Sequence, residues 1–263
     1  MRVFAVSSGK GGVGKTSLVI NLALALSEQG ERVVVFDADL GLANVDVMLG
    51  LSPPFDIRYV LKGEKTLSEI LYKTEYNFSL IPASSGNLEL TQLNLSQKLL
   101  LKAQLEEILK KQDFLIFDIS AGISENVLFF NFLAEERIVI ATSEPTSLAD
   151  AYALIKVAFK KYKIKDFYLL LNMVKEEREG KKIYQQLIYV LEKFLPEIKL
   201  SYLGAIPFDE CVSKAVKLQI PFLKLCPLAS VSQKVREVAL KLIKVSPKGE
   251  DHLEVFLEKW LSL

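Results

Sequence analysis

Eight residues near the start of the chain have the types and spacing needed to hold a chain of phosphates: Gly9-Lys10-Gly11-Gly12-Val13-Gly14-Lys15-Thr16. Wrapping a di- or triphosphate requires close approach of backbone N–H groups, which glycines permit. The segment that follows has helical spacing, so the N-terminus of a helix would aim its free N–H groups and its dipole at the same anion. Lys15 then supplies a point charge for the β- and γ-phosphates, and the Thr16 hydroxyl a ligand for Mg²⁺. Two further apolar runs end in carboxylates. Arg32-Val33-Val34-Val35-Phe36 leads into Asp37-Ala38-Asp39, and Phe114-Leu115-Ile116-Phe117 into Asp118. A buried strand that delivers a carboxylate beside a phosphate loop can place it in the shell of a phosphate-bound Mg²⁺. Apolar runs ending in Asp are common, and it is the position about a hundred residues after a P-loop that gives Asp118 its weight.

The elements that must position these residues are legible from hydrophobic patterning. Strands are expected at Val3–Val6, Arg32–Phe36, Phe78–Pro82, Phe114–Asp118, Arg137–Thr142, Phe167–Leu171 and Tyr202–Pro207, each a short β-branched or aromatic run. Between them lie helical patterns: Ser17–Gln29 closed by Gly30, short helices at Ile57–Leu61 and Leu67–Leu71, then Leu95–Lys111, Glu125–Leu133, a helix capped by Thr146 or Ser147 and running through Phe159, Ile183–Phe194, Cys211–Leu218 and Val231–Ile243. The polar stretch Ala83–Thr91 reads as a surface loop. Alternation of strand and helix over this length predicts an α/β fold of the P-loop NTPase type, a mostly parallel twisted sheet with helices on both faces. In such a sheet ligands bind outside the carboxyl ends of the strands, where the phosphate loop, Asp37, Asp39 and Asp118 all fall.

Composition excludes several classes. Half of the 263 residues are hydrophobic and a quarter are charged, which suits a large core rather than disorder. A formal net charge of +1 argues against a nucleic-acid field over the whole molecule. Cys211 and Cys226 are too few for a disulfide framework and lack Cys-x-x-Cys spacing, which fits a reducing cytosol and not a zinc or iron–sulfur site. The only histidine, His252, lies near the C-terminus, which argues against histidine-based catalysis. The first apolar run ends by Ser7, too short for a signal peptide, and nothing approaches ~18 uninterrupted apolar residues. Lys160-Lys161-Tyr162-Lys163-Ile164-Lys165 reads as a solvated, dipole-matched helix end rather than a DNA surface.

Lys10 distinguishes this loop from a plain P-loop. Gly-Lys-Gly-Gly-Val-Gly-Lys-Thr resembles the deviant Walker A motif of the MinD/ParA family of dimeric ATPases, and the resemblance extends over nearly the whole chain. It implies that Lys10 reaches across an ATP-bound homodimer to the partner's phosphates, as an arginine finger would. Asp37-Ala38-Asp39-Leu40-Gly41-Leu42-Ala43-Asn44-Val45-Asp46 is similar to the family's switch I, with Asp39 orienting the attacking water and Asp37 holding Mg²⁺ through water. Asp118-Ile119-Ser120-Ala121-Gly122 is similar to Walker B with switch II. The nucleotide-binding set is then Gly9 through Ser17 with Asn172, Pro207, Phe208 and Asp209 against the base; Lys10, Lys15 and Asp39 are catalytic; Thr16, Asp37 and Asp118 hold the metal. Asn172 is followed by Met173-Val174-Lys175, without the Asp of a guanine-reading Asn-Lys-x-Asp, so ATP is favoured over GTP.

Within the family, Ala121–Val127, Glu144–Tyr152, Leu171–Val174 and Gly204–Asp209 look most like the FlhG/FleN group of flagellar-number regulators. That resemblance implies partners drawn from a signal-recognition-type GTPase, switch-complex proteins or an enhancer-binding transcription activator. The first strand starts almost at Met1, leaving no room for the extension with which many of the group activate the GTPase, and this shifts weight toward the transcriptional role. Division-site placement and DNA segregation remain the alternatives. A domain over 1–246 would be followed by a tail, 247–263, in which Leu253, Phe256, Leu257, Trp260 and Leu261 share one helical face. By resemblance such a tail binds membrane reversibly, giving a cytoplasmic protein that is peripheral at the inner membrane face. Its acidic face, with Glu250, Asp251, Glu254 and Glu258, lacks the electrostatic help of anionic lipid, which Lys241, Lys244 and Lys248 just upstream offset in part; docking on its own domain is the alternative.

Overall fold

The computed structural model describes residues 1–83 and 93–244. Most of the expected loop 83–91 and the whole tail 247–263 lie outside the described residues.

One eight-stranded sheet organises the chain. Its strands are β1 (Arg2–Ser8), β2 (Val33–Ala38), β3 (Tyr72–Lys73), β4 (Ser79–Ile81), β5 (Phe114–Ala121), β6 (Glu136–Ala141), β7 (Asp166–Val174) and β8 (Lys199–Pro207). The spatial order is β3-β4-β2-β5-β1-β6-β7-β8, and every pairing is parallel except β3 with β4. The seven expected strands are all present. The eighth, β3, pairs antiparallel at the edge over two residues, too short to leave a periodic signal.

β1 and β2 are buried along their whole length, because helices cover both faces of the sheet. On one face pack α3 (Ile57–Leu61), α4 (Leu67–Ile70), α5 (Leu95–Leu109), α6 (Glu125–Leu133), α7 (Pro145–Tyr162) and α8 (Glu177–Phe194). The other carries α1 (Lys15–Glu28), α2 (Val45–Met48), α9 (Glu210–Leu218), α10 (Phe222–Leu225) and α11 (Ser230–Lys244). Helix α1 is buried without interruption from Ser17 to Leu26, since it lies between the sheet and α11; that is why its sequence is apolar all round. Helix α8 begins at Glu177, earlier than its apolar repeat suggests, because its first turn is polar. Helix α7 is capped at Glu144 with Pro145 in the first position. Ser147, expected as the cap, accepts instead from the Thr142 backbone N–H at 3.0 Å and ties the helix to the end of β6.

The sheet reverses its winding around β1, which has β5 on one side and β6 on the other. The phosphate loop therefore leaves β1 at the switch point, with β2 and β5 delivering their C-terminal carboxylates alongside. Beneath them Phe36, Phe117, Phe129 and Phe130 form a buried aromatic cluster with ring centroids 5.1–5.8 Å apart. Phe130 touches the other three. Phe130→Ala should lower unfolding free energy by about 3–5 kcal/mol in urea titration, whereas Phe194→Ala, on an exposed side chain, should stay within about 0.5 kcal/mol.

Candidate nucleotide-binding site

The phosphate loop spans the gap between β1 and α1, and two of its glycines are required for different reasons. Gly14 has φ +82, in the left-handed region, and forms the N-cap of α1. Gly9 is needed for packing: a Cβ there would collide with the backbone of Asp150 in α7. The reason for Gly9 is thus a helix on the far side of the loop as well as the phosphate. Lys15, Thr16 and Ser17 occupy the first turn of α1, where backbone N–H groups point into the loop.

Asp37 and Asp118 are direct neighbours in the β2–β5 register, and both are buried. Asp37 accepts three backbone N–H groups, from Asp39 at 3.1 Å, Asn44 at 3.0 Å and Val45 at 3.1 Å. It thereby holds the following loop against the strand end. Asp118 receives Lys15 Nζ at 2.5 Å. Burial, and secondly the charge of Asp118, push the Asp37 carboxyl up to about 7 against the opposing pull of its three donors. Burial also raises Asp39, which the positive charge of Lys15 partly offsets. Two buried carboxylates side by side, of which Asp118 alone is paired with an ammonium, form a site short of positive charge. That donor set, with the Thr16 hydroxyl at the helix start, fits a hard divalent cation that keeps water and phosphate oxygens as its other ligands. Among the described residues no group of three or more His, Cys, Asp or Glu could hold a metal by itself. A cation here therefore depends on the phosphates.

Lys10 points away from this centre. Its Nζ binds Glu144 Oε2 at 2.7 Å and Thr146 Oγ1 at 3.3 Å, at the start of α7. Both charged side chains are substantially exposed, 41% and 64%, so the pair contributes at most about 1 kcal/mol and is easily exchanged. Glu144 lies in a segment marked by family resemblance, but only the fold, which brings α7 against the loop, makes it a partner of Lys10.

On the other side of α1, Gly14, Ser17, Asn172, Met173, Pro207, Phe208 and Asp209 line a hollow, together with Val212, Ser213 and Phe222. Asn172 donates through Nδ2 to the Val13 carbonyl at 2.8 Å, which leaves Oδ1 as its acceptor. Met173 has φ +56, a left-handed bulge that interrupts the β7–β8 register after Leu171. Phe208 is 64% exposed at the rim. Asp209 uses Oδ1 to cap α9 through the Cys211 backbone N–H at 2.9 Å, a second duty its motif does not reveal. Cys211 and Cys226 are joined in a disulfide between α9 and the end of α10. Two cysteines, too few for a framework, are enough for one staple. The lysine run at the end of α7 is engaged within the domain, with Lys161 on Glu125 and Lys165 on Glu197 at 2.6 Å.

A phosphate loop at the switch point, two carboxylates paired across adjacent strands and a hollow on the far side of one helix define a P-loop nucleotide-binding protein. The profile of the CobQ/CobB/MinD/ParA nucleotide binding domain matches residues 4–222. The chain belongs to that family and is an ATPase of its MinD/ParA branch. It is 39% identical to the antiactivator FleN of Pseudomonas aeruginosa over 98% of this chain and 93% of that protein. It is 34% identical to the flagellum site-determining protein YlxH of Helicobacter pylori over 94% of this chain and 84% of that one. Among solved structures, the septum site-determining protein MinD of Pyrococcus horikoshii, complexed with Mg-ADP, superposes with a TM-score of 0.76 at 24% identity, covering 93% of this chain and 96% of that one. No helix among the described residues is long and apolar enough to cross a membrane.

Because Asp37 is raised in the folded state, its protonated form stabilises the fold. That contribution is complete below the ordinary value of 3.8 and is lost as pH rises through about 7. Without nucleotide or Mg²⁺, the urea midpoint of the native chain relative to the Asp37→Asn variant should fall between pH 5 and pH 8. A difference that stays flat over that range would remove burial of Asp37 as its cause.

Proposed function

We propose that the chain is a slow, dimerisation-gated ATPase that acts as a switch controlling flagellar number or placement. The observation that carries this reading is the position of Lys10. It sits on the outer rim of the loop in an exposed, weak ion pair, available to a second subunit, while Lys15 alone serves the loop's own phosphates. The relatives named antiactivator and flagellum site-determining protein support the flagellar role. The first of those names favours a transcription activator as the regulated partner.

In this reading ATP lies across the start of α1, with its base in the hollow lined by Asn172, Pro207, Phe208 and Asp209. Lys15 leaves Asp118 to meet the phosphates. Thr16, with Asp37 and Asp118 nearby, would hold Mg²⁺, which would supply charge neutralisation at the phosphates. Asp39 orients the attacking water, and Lys10 exchanges Glu144 for the phosphates of the other subunit. Asp37 anchors the backbone of residues 39–45, so a change at the metal site moves the loop that carries Asp39.

Asp39→Ala should retain ATP-induced dimers in size-exclusion chromatography while losing at least about 100-fold in phosphate release, the scale of one general-base contribution. Lys15→Ala should abolish nucleotide binding in equilibrium dialysis. Normal turnover by the Asp39 variant would remove its assigned role. We further propose that the tail carries the membrane contact. Deleting residues 253–263 should then abolish ATP-dependent sedimentation with anionic liposomes and leave hydrolysis in solution intact; unchanged sedimentation would leave docking on the domain as the tail's role.

A further inference from the structure

We infer that the Cys211–Cys226 disulfide sets the affinity of the hollow for the nucleotide base, so that thiol reduction weakens nucleotide binding at its base end. The inference rests on the assignment of that hollow to the base. Helix α9 forms one wall through Asp209, Val212 and Ser213, and its attachment to the body is slight. Of its nine residues only Ala215 is buried. Apart from that contact it is held by the half-buried side of Cys211 and Val212, and at its end by Gln219 Nε2 on the Val47 carbonyl at 2.6 Å. The disulfide adds a covalent tie from the first turn of this loosely packed helix to Cys226.

The far end of that tie is firmly seated. The Cys226 backbone N–H donates to the carbonyl of Phe222, another lining residue, at 2.8 Å. Ser232 Oγ in α11 donates to the Cys226 carbonyl at 2.8 Å. The Leu223 backbone N–H donates to Asn21 Oδ1 in α1 at 2.9 Å, and Asn21 Nδ2 donates to the Ser17 carbonyl at 2.8 Å. Helix α10 is therefore fixed to the same helix that begins at the phosphate loop. The disulfide holds the movable wall of the hollow at a set distance from its immovable one. Neither cysteine is fully buried, so a small thiol can reach the bond.

The step is an ordinary exchange. A dithiol such as dithiothreitol gives two electrons and two protons; the Sγ–Sγ bond breaks, two thiols form, and the reductant closes its own disulfide. Closing a loop of 15 residues restricts the unfolded chain as well, so reduction also lowers thermal stability.

The full-length chain, purified without reductant and denatured, should show no free thiol by titration before dithiothreitol and two after it. Reduction of the folded protein should weaken ADP binding roughly fivefold or more in calorimetry, through lost preorganisation of the hollow, while inorganic pyrophosphate, which needs only the loop, binds as before. Tm should fall by about 5 °C. The Cys211→Ser/Cys226→Ser variant should match the reduced protein and ignore dithiothreitol. If that variant does not fold, the reduced and alkylated native chain serves the same comparison. Two free thiols in the unreduced chain, or equal ADP affinity in both redox states, overturns the inference. Failure of the oxidised chain to bind ADP while binding pyrophosphate removes the base assignment itself, and the inference with it.

Discussion

Two carboxylates that burial forces together dominate this structure. Asp37 and Asp118 stand directly opposite each other in the register of two adjacent parallel strands, toward the C-terminal side of β2 and β5. Neither can be relaxed without undoing the sheet, since the strands that deliver them lie at its centre. Everything near them answers that concentration of negative charge. Lys15 reaches over from the first turn of α1; three backbone N–H groups close on Asp37; the loop after β2 is drawn down with them. Lys15 on Asp118 thus sits at the place where the proposed cation and phosphates would act.

The two ends of the proposed nucleotide site are built on different physical terms. The phosphate end is made from central strands, a helix buried over most of its length and two glycines fixed by a left-handed φ and a close approach. The end proposed for the base is made from the strand bulge at Met173, the exposed ring of Phe208 and a helix with a single buried residue. The first end is fixed by the core of the protein, whereas the second relies on a few local ties. Local ties open at lower free energy than core contacts, so variation in the site is expected where α9 lies.

The order of strands and helices was legible because each central strand is a short apolar run, and each long helix carries a clear stop or repeat. The elements that escaped, β3, α2 and α10, are two to four residues long and carry too few residues for a period to repeat. Phosphate-loop residues, Asp37, Asp39 and Asp118 were legible because their chemistry demands fixed types at strand ends. Glu144, the staple between Cys211 and Cys226, and the capping duty of Asp209 were not. Each depends on contacts between segments whose approach is decided by the fold, and none requires an unusual residue at its position. Even Gly9, correctly marked as part of the loop, owes its identity partly to a helix more than a hundred residues later in the chain.

That contact between Gly9 and the backbone of Asp150 gives the loop a backstop. A phosphate pressing on the loop from one side meets α7 on the other, with no side chain between them to act as a cushion. Loop and helix are therefore in direct contact at this point, and the Lys10–Glu144 pair beside it spans the same junction between the loop and the start of α7.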